Sequence, residues 1–178
     1  MPMEKINILR DAFPEAAKDI KLNLAAVLEN GELSPAQRWG TALSCAYAAR
    51  NDPLIAAVLA DGREHLSDDL IEDCKAAAVL MAMNNVFYRF RHFVAKDVYQ
   101  TKAARLRMNR LVQVKTNKTD MELYCLAVSA LNGCETCVKA HEKVILDAGM
   151  TEDQVMDAVR IASVIHAAAL AVELSPAL

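Results

Sequence analysis

The stretch DMELYCLAVSALNGCETCVKAHEKVILDAGMTEDQ, residues 120–154, decides how this chain folds. Its apolar run from Leu123 to Leu131 predicts a helix over Asp120 to Ala130. Asn132-Gly133 breaks that helix, and a second runs from Cys134 to Ala148 before Gly149 ends it. Thr151-Glu152-Asp153-Gln154 has the form of a capping box, in which Thr and Gln side chains satisfy free backbone N–H groups, and it opens a last helix reaching about Glu173. Two helices joined by so short a break predict an antiparallel hairpin.

Upstream punctuation is helical as well. A short amphipathic helix from Met3 ends near Pro14, and another runs from Glu15 to Gly31. Ser34-Pro35-Ala36-Gln37 is a second capping box, opening a helix with Trp39, Leu43 and Tyr47. Asp52-Pro53 starts a further helix, and Ser67, followed by Asp68 and Asp69, caps one that continues to about Asn84. Loops and short helices are expected from Arg89 to Thr119. The chain of 178 residues, 54% hydrophobic, 5% aromatic and with only five Gly and five Pro, therefore predicts an all-α fold of one domain and excludes an all-β one.

At an offset of 85 residues the chain weakly matches itself: Gln37 falls on Glu122, Trp39 on Tyr124, Ser44 on Ser129 and Lys75 on Arg160. A duplicated core is expected, its first half about 34–93 and its second about 119–173, preceded by N-terminal helices over 3–31. Ala49 and Asp52 stand where the second copy has Cys134 and Cys137, so only that copy carries chemistry.

A net charge of −3 gives no bulk attraction to nucleic acid or anionic membrane. Nine of the twenty Lys and Arg lie between Arg89 and Lys118 against one acid, Asp97, which reads as a solvated or subunit-facing surface or as a docking patch for an acidic partner. The longest apolar run, Ile161 to Val172, falls short of the ~20 residues a membrane span needs. With no secretory pattern at the start, a cytoplasmic location is expected.

The chemistry concentrates in Cys134-Glu135-Thr136-Cys137-Val138-Lys139-Ala140-His141. Two thiols three residues apart at a helix start lie on one face, where the helix dipole predicts a low thiol pKa. His141 follows Cys137 by four residues and shares that face. Glu122 leads a run that is otherwise apolar, where an unpaired carboxylate would be costly. In a hairpin turning at Asn132-Gly133, Glu122 and His141 stand within about 3 to 4 Å of the same height. Glu122 can then orient and charge His141, and His141 can take the Cys137 proton directly or through one water. This reading needs acid and ring on the sulfurs' side of the molecule, and a sulfur that solvent can reach.

A zinc module using the two cysteines, His141 and either Glu122 or Cys125 is a second reading, although a second CxxC or finger-spaced His is absent from the sequence. Cys45, Cys74 and Cys125 read as buried inert thiols, His166 as a packed or interface residue, and His65 and His92 as solvated. Asn84 and Asn85 read as a helix-end cap.

At these residues the chain resembles the alkyl hydroperoxidase D family, within the carboxymuconolactone-decarboxylase-like helical proteins. The pattern of Glu, eleven residues, then Cys-x-x-Cys-x-x-x-His is met by Glu122, Cys134, Cys137 and His141. Further likeness lies in 17–24, Met83-Asn84-Asn85-Val86-Phe87-Tyr88-Arg89, Leu106-Arg107-Met108-Asn109 and 127–134. The resemblance implies an internally duplicated, homotrimeric helical protein of antioxidant defence. It would reduce a peroxiredoxin of the alkyl hydroperoxide reductase C type with electrons from dihydrolipoyl groups on an acyltransferase subunit of a 2-oxoacid dehydrogenase. It would also act weakly on organic hydroperoxides, with no tightly bound cofactor or metal. By the same resemblance Cys137 becomes the sulfenic acid and forms the mixed disulfide with the peroxiredoxin. Cys134 donates a proton and then resolves the intermediate into a Cys134–Cys137 disulfide. Some members carry His immediately before the second Cys; here Thr136 stands there, and Glu122 with His141 must suffice. A redox sensor of the same superfamily is the remaining alternative.

Overall fold

The structure, a computed structural model, describes residues 3–175 as nine α-helices and two 3-10 turns, with no strand among them. The helices are α1 (Glu4–Ala12), α2 (Lys18–Glu29), α3 (Pro35–Ala49), α4 (Asp52–Gly62), α5 (Asp68–Val94), α6 (Asp97–Gln100), α7 (Lys118–Leu131), α8 (Glu135–Asp147) and α9 (Glu152–Glu173). Both capping boxes form, at Ser34 with Gln37 and at Thr151 with Gln154. The starts of α3, α4 and α5 recur 83, 83 and 84 residues later as those of α7, α8 and α9, close to the offset seen in the sequence.

The core is built from α3, α5, α7 and α9 packed on one another, with α2 laid on α9 and α1 on α4. Helix α7 is buried nearly all round, from Met121 through Ser129, because its sequence is apolar on every face but one. Helix α9 is, among the described residues, the one long and apolar enough to cross a membrane by length and composition. Here its apolar stripe, Ala158, Ile161, Ile165, Ala168 and Val172, is buried where α9 meets α2, α3 and α7.

Helices α3 and α7 pack tightly at Gly40. A Cβ there would lie 2.6 Å from Tyr124 Cζ and nearer still to its hydroxyl, which is buried with no hydrogen-bond partner. Gly40→Ala is expected to destabilise the protein by about 1 to 3 kcal/mol in urea unfolding, the usual cost of overpacking. Tyr124→Phe should recover part of that loss, since it removes the nearest obstructing atom together with a hydroxyl that bonds nothing.

Two expectations are corrected. Helix α5 continues ten residues past Asn84, because Asn84 and Asn85 are buried inside it rather than capping its end; it closes at Ala95 in the left-handed conformation. The irregular segment after it is tied down internally. Asp73 on α5, fully buried, accepts hydrogen bonds from Thr116 Oγ1 (2.7 Å), the backbone of Lys115 and Thr116, and Arg110 (2.5 Å). Burial pushes its carboxyl up, but the Thr116 hydroxyl and the Arg110 guanidinium outweigh this and hold it below the usual value. Part of the basic segment therefore serves an internal anchor.

Candidate active site

The α7–α8 turn sets the position of both sulfurs. Gly133 adopts φ +67°, Cys134 N–H donates to Ser129 O (3.0 Å) and Gly133 N–H to Ala130 O (3.1 Å), the paired bonds of a Schellman turn. Cys134 is thereby both the end of one motif and the N-cap of α8, and Cys137 falls in the first turn of α8. The sulfurs are unbonded and 2.7 Å apart. Small side-chain movements would close a disulfide between them.

Glu122 is a charged break in the apolar run of α7, and it meets His141 across the hairpin: Nδ1 to Oε2 is 2.6 Å, with the His141 and Glu122 side chains 13% and 15% exposed. With the carboxylate on Nδ1, the opposite ring nitrogen is left for proton transfer. The hairpin pairs Glu122 with His141 and sets the two sulfurs together at the start of α8, where His141 follows Cys137 by about one helical turn.

The sulfurs are more enclosed than their place at a helix start suggests. Cys134 is fully buried and Cys137 is 5% exposed, with α5 packed over α8. The expected low thiol pKa is corrected: burial, reinforced by the Cys134 thiol beside it, pushes Cys137 up to about 12. The helix start does not offset that desolvation.

Asn85 is the residue that sequence reading missed. Only 1% exposed, it donates to Ser129 Oγ (2.9 Å) and Met81 Sδ (3.7 Å) and accepts from Asn132 Nδ2 (2.9 Å), and its amide draws the Cys137 thiol downward against the larger effect of burial. Arg89, one turn further along α5, donates to Asn132 O at 2.5 Å. A polar pair inside an otherwise apolar helical stretch was the available signal.

Elsewhere Cys45, Cys74 and Cys125 are buried and their thiols pushed upward by burial, Cys74 to about 12. His92 is half-exposed and pairs with Glu135 at 3.1 Å, and His65 pairs with Glu64 at 3.2 Å, so neither is simply solvated. His166 is exposed on this chain, which rules out packing within it. Thr136 is also exposed, turned to solvent between the buried sulfurs. Among the described residues no three His, Cys, Asp or Glu side chains converge as a metal site.

Residues 99–178 match the carboxymuconolactone decarboxylase family. Over 173 residues the chain is 60% identical to a protein of Anaeromyxobacter dehalogenans (strain 2CP-C) named alkyl hydroperoxide reductase AhpD, covering 97% of this chain and 93% of that protein. Proteins of the same name from Acidobacterium capsulatum and Methylocella silvestris are 50% and 43% identical, over 91% and 94% of this chain and 89% and 94% of theirs. Likeness of this extent, on an all-helical fold with its cysteine pair beside a Glu–His pair, means that the chain belongs to the AhpD family of the carboxymuconolactone decarboxylase group.

Proposed function

We propose that this protein is an antioxidant thiol peroxidase and peroxiredoxin reductase working through Cys134 and Cys137. The Glu122–His141 contact, beside two sulfurs within bonding reach of one another, carries the reading. His141 takes the Cys137 proton, and the sulfur attacks the terminal peroxide oxygen. The O–O bond breaks, the alkoxide gains a proton and leaves as an alcohol, and Cys137 is left as sulfenic acid. Cys134 then attacks that sulfur, water departs, and the disulfide holds the two electrons' worth of oxidation. A dihydrolipoyl dithiol on an acyltransferase subunit restores both thiols by exchange. In the reductase role, Cys137 attacks the disulfide of a peroxiredoxin of the alkyl hydroperoxide reductase C type, and Cys134 releases the reduced partner. The names carried by the relatives support this assignment. The working form is a homotrimer in the cytoplasm; Phe93, Val112 and Leu170, 74%, 77% and 61% exposed, supply apolar surface that subunit contacts would cover.

Stopped-flow mixing of the reduced protein with cumene hydroperoxide tests this. One equivalent of alcohol and the loss of two thiols are expected, and dihydrolipoamide should restore both thiols and support repeated turnover. Retention of both thiols would refute peroxidase action; oxidation without restoration would favour a sensor. One equivalent of tightly held zinc with no thiol chemistry would favour the metal module.

A further inference from the structure

Asn85, Arg89 and His92 form a polar stripe on α5, spaced four and three residues apart and so on one face of the helix. Each meets the segment that carries the sulfurs. Asn85 donates to Ser129 Oγ and accepts from Asn132 Nδ2, both at 2.9 Å. Arg89 donates to the Asn132 carbonyl, and His92 Nε2 lies 3.1 Å from the Glu135 carboxylate. The gripped groups belong to residues 129, 132 and 135, on either side of Cys134. Backbone bonding completes the hold: Ser129 O accepts from Cys134 N–H at 3.0 Å, so the residue that Asn85 fixes through its hydroxyl fixes Cys134 through its carbonyl. Ser129 is fully buried, and its hydroxyl donates in turn to Met81 Sδ, one turn before Asn85 on the same helix.

We infer that this stripe is a positioning device for the disulfide step: Asn85 and Arg89 hold the turn before Cys134 so that its sulfur stays within reach of Cys137, and they thereby set the dithiol–disulfide equilibrium. The inference rests on the reading of the two cysteines as a redox pair and adds the residues that tune it. In that step the Cys134 sulfur attacks the Cys137 sulfenic acid, the S–S bond forms, the S–O bond breaks, and hydroxide leaves with the thiol proton as water. The 2.7 Å between the sulfurs must shorten to about 2.05 Å, a small movement only when the turn is already in place. The two redox forms depend on the grip unequally. Without Arg89 the dithiol form can shift its turn until water pairs the Asn132 carbonyl. In the disulfide the bonded sulfurs keep the turn where it is, and that part-buried carbonyl stays unpaired. Loss of the grip therefore weighs more on the disulfide and makes it easier to reduce. His92, half-exposed against a carboxylate that also pairs with Lys139, adds little, because solvent screens such pairs.

Redox titration of the full-length protein in dithiothreitol buffers, read by the number of thiols a maleimide caps after acid quenching, tests this without peroxide. Arg89→Leu should lower the dithiol-to-disulfide equilibrium constant about tenfold, the scale of one charge-assisted hydrogen bond, which raises the reduction potential by about 30 mV. Arg89→Lys, still able to donate to the carbonyl, should recover most of that shift. Asn85→Ala should move the potential in the same direction; because Asn85 is buried and Arg89 is partly exposed, the Arg89 pair decides the matter if Asn85→Ala does not fold. After one equivalent of cumene hydroperoxide, the Cys137 sulfenic acid of Arg89→Leu should stay open to dimedone about tenfold longer than that of the unsubstituted protein. A merely structural role would lower the urea midpoints of the reduced and oxidised forms alike and leave the potential in place. That result, or a fall in potential, would overturn the inference. Failure of the unsubstituted protein to form the Cys134–Cys137 disulfide in any buffer would instead overturn the redox-pair reading beneath it.

Discussion

Cys137→Ser is expected to lower hydroperoxide reduction by about 10⁴-fold or more, the scale of losing a nucleophile whose base and partner remain in place. A serine hydroxyl is far less acidic than a thiol and cannot form the sulfenic acid on which the second step depends. Cys134→Ser should behave differently. It retains the attacking sulfur and loses the resolving one, so a single turnover proceeds and Cys137 stops as sulfenic acid, which dimedone labels and mass spectrometry locates. With excess peroxide the same residue should advance to sulfinic acid, because no neighbouring thiol captures it. The opposite pattern, with label on Cys134 in Cys137→Ser, would exchange the two roles. Both substitutions are nearly isosteric at buried positions, and matching circular dichroism and urea midpoints would separate chemistry from folding.

The sequence reading and the structure agree most closely where a local signal has a local cause. The capping boxes at Ser34 and Thr151, the break at Asn132-Gly133 and the rise per residue of two antiparallel helices sufficed to pair Glu122 with His141. What escaped was tertiary. Asn85 looks like a cap from its neighbours alone, yet its partners Ser129 and Asn132 lie 44 and 47 residues away. Helical periodicity places two sulfurs on one face but says nothing of what covers that face; α5 covers it, and the expected acidic thiol becomes one that resists ionisation. The basic run after Arg89 likewise gave no hint that the Arg110 side chain and the backbone of Lys115 and Thr116 reach inward to Asp73, since an Asp following Glu72 in a helix reads as surface.

His141→Gln and Glu122→Gln are expected to slow peroxide reduction by about 10² to 10⁴-fold, the range of general base catalysis. Burial pushes the Cys137 thiol well above its ordinary value, so a base beside it is expected to govern how readily thiolate forms at pH 7. The imidazole acts as that base by accepting the proton as the sulfur attacks, and the carboxylate 2.6 Å from Nδ1 stabilises the cation it becomes. Gln at 141 offers no base, while Gln at 122 keeps a hydrogen bond to the ring and loses the charge, so the second substitution should be the milder of the two. The pH profile distinguishes this from a structural effect. In His141→Gln the rate should climb about tenfold per pH unit as hydroxide supplies the thiolate, approaching the unsubstituted protein near pH 10. The unsubstituted protein should have a much flatter dependence over the same interval. A variant whose deficit stays constant with pH would mean that His141 supports the fold around the sulfurs and transfers no proton.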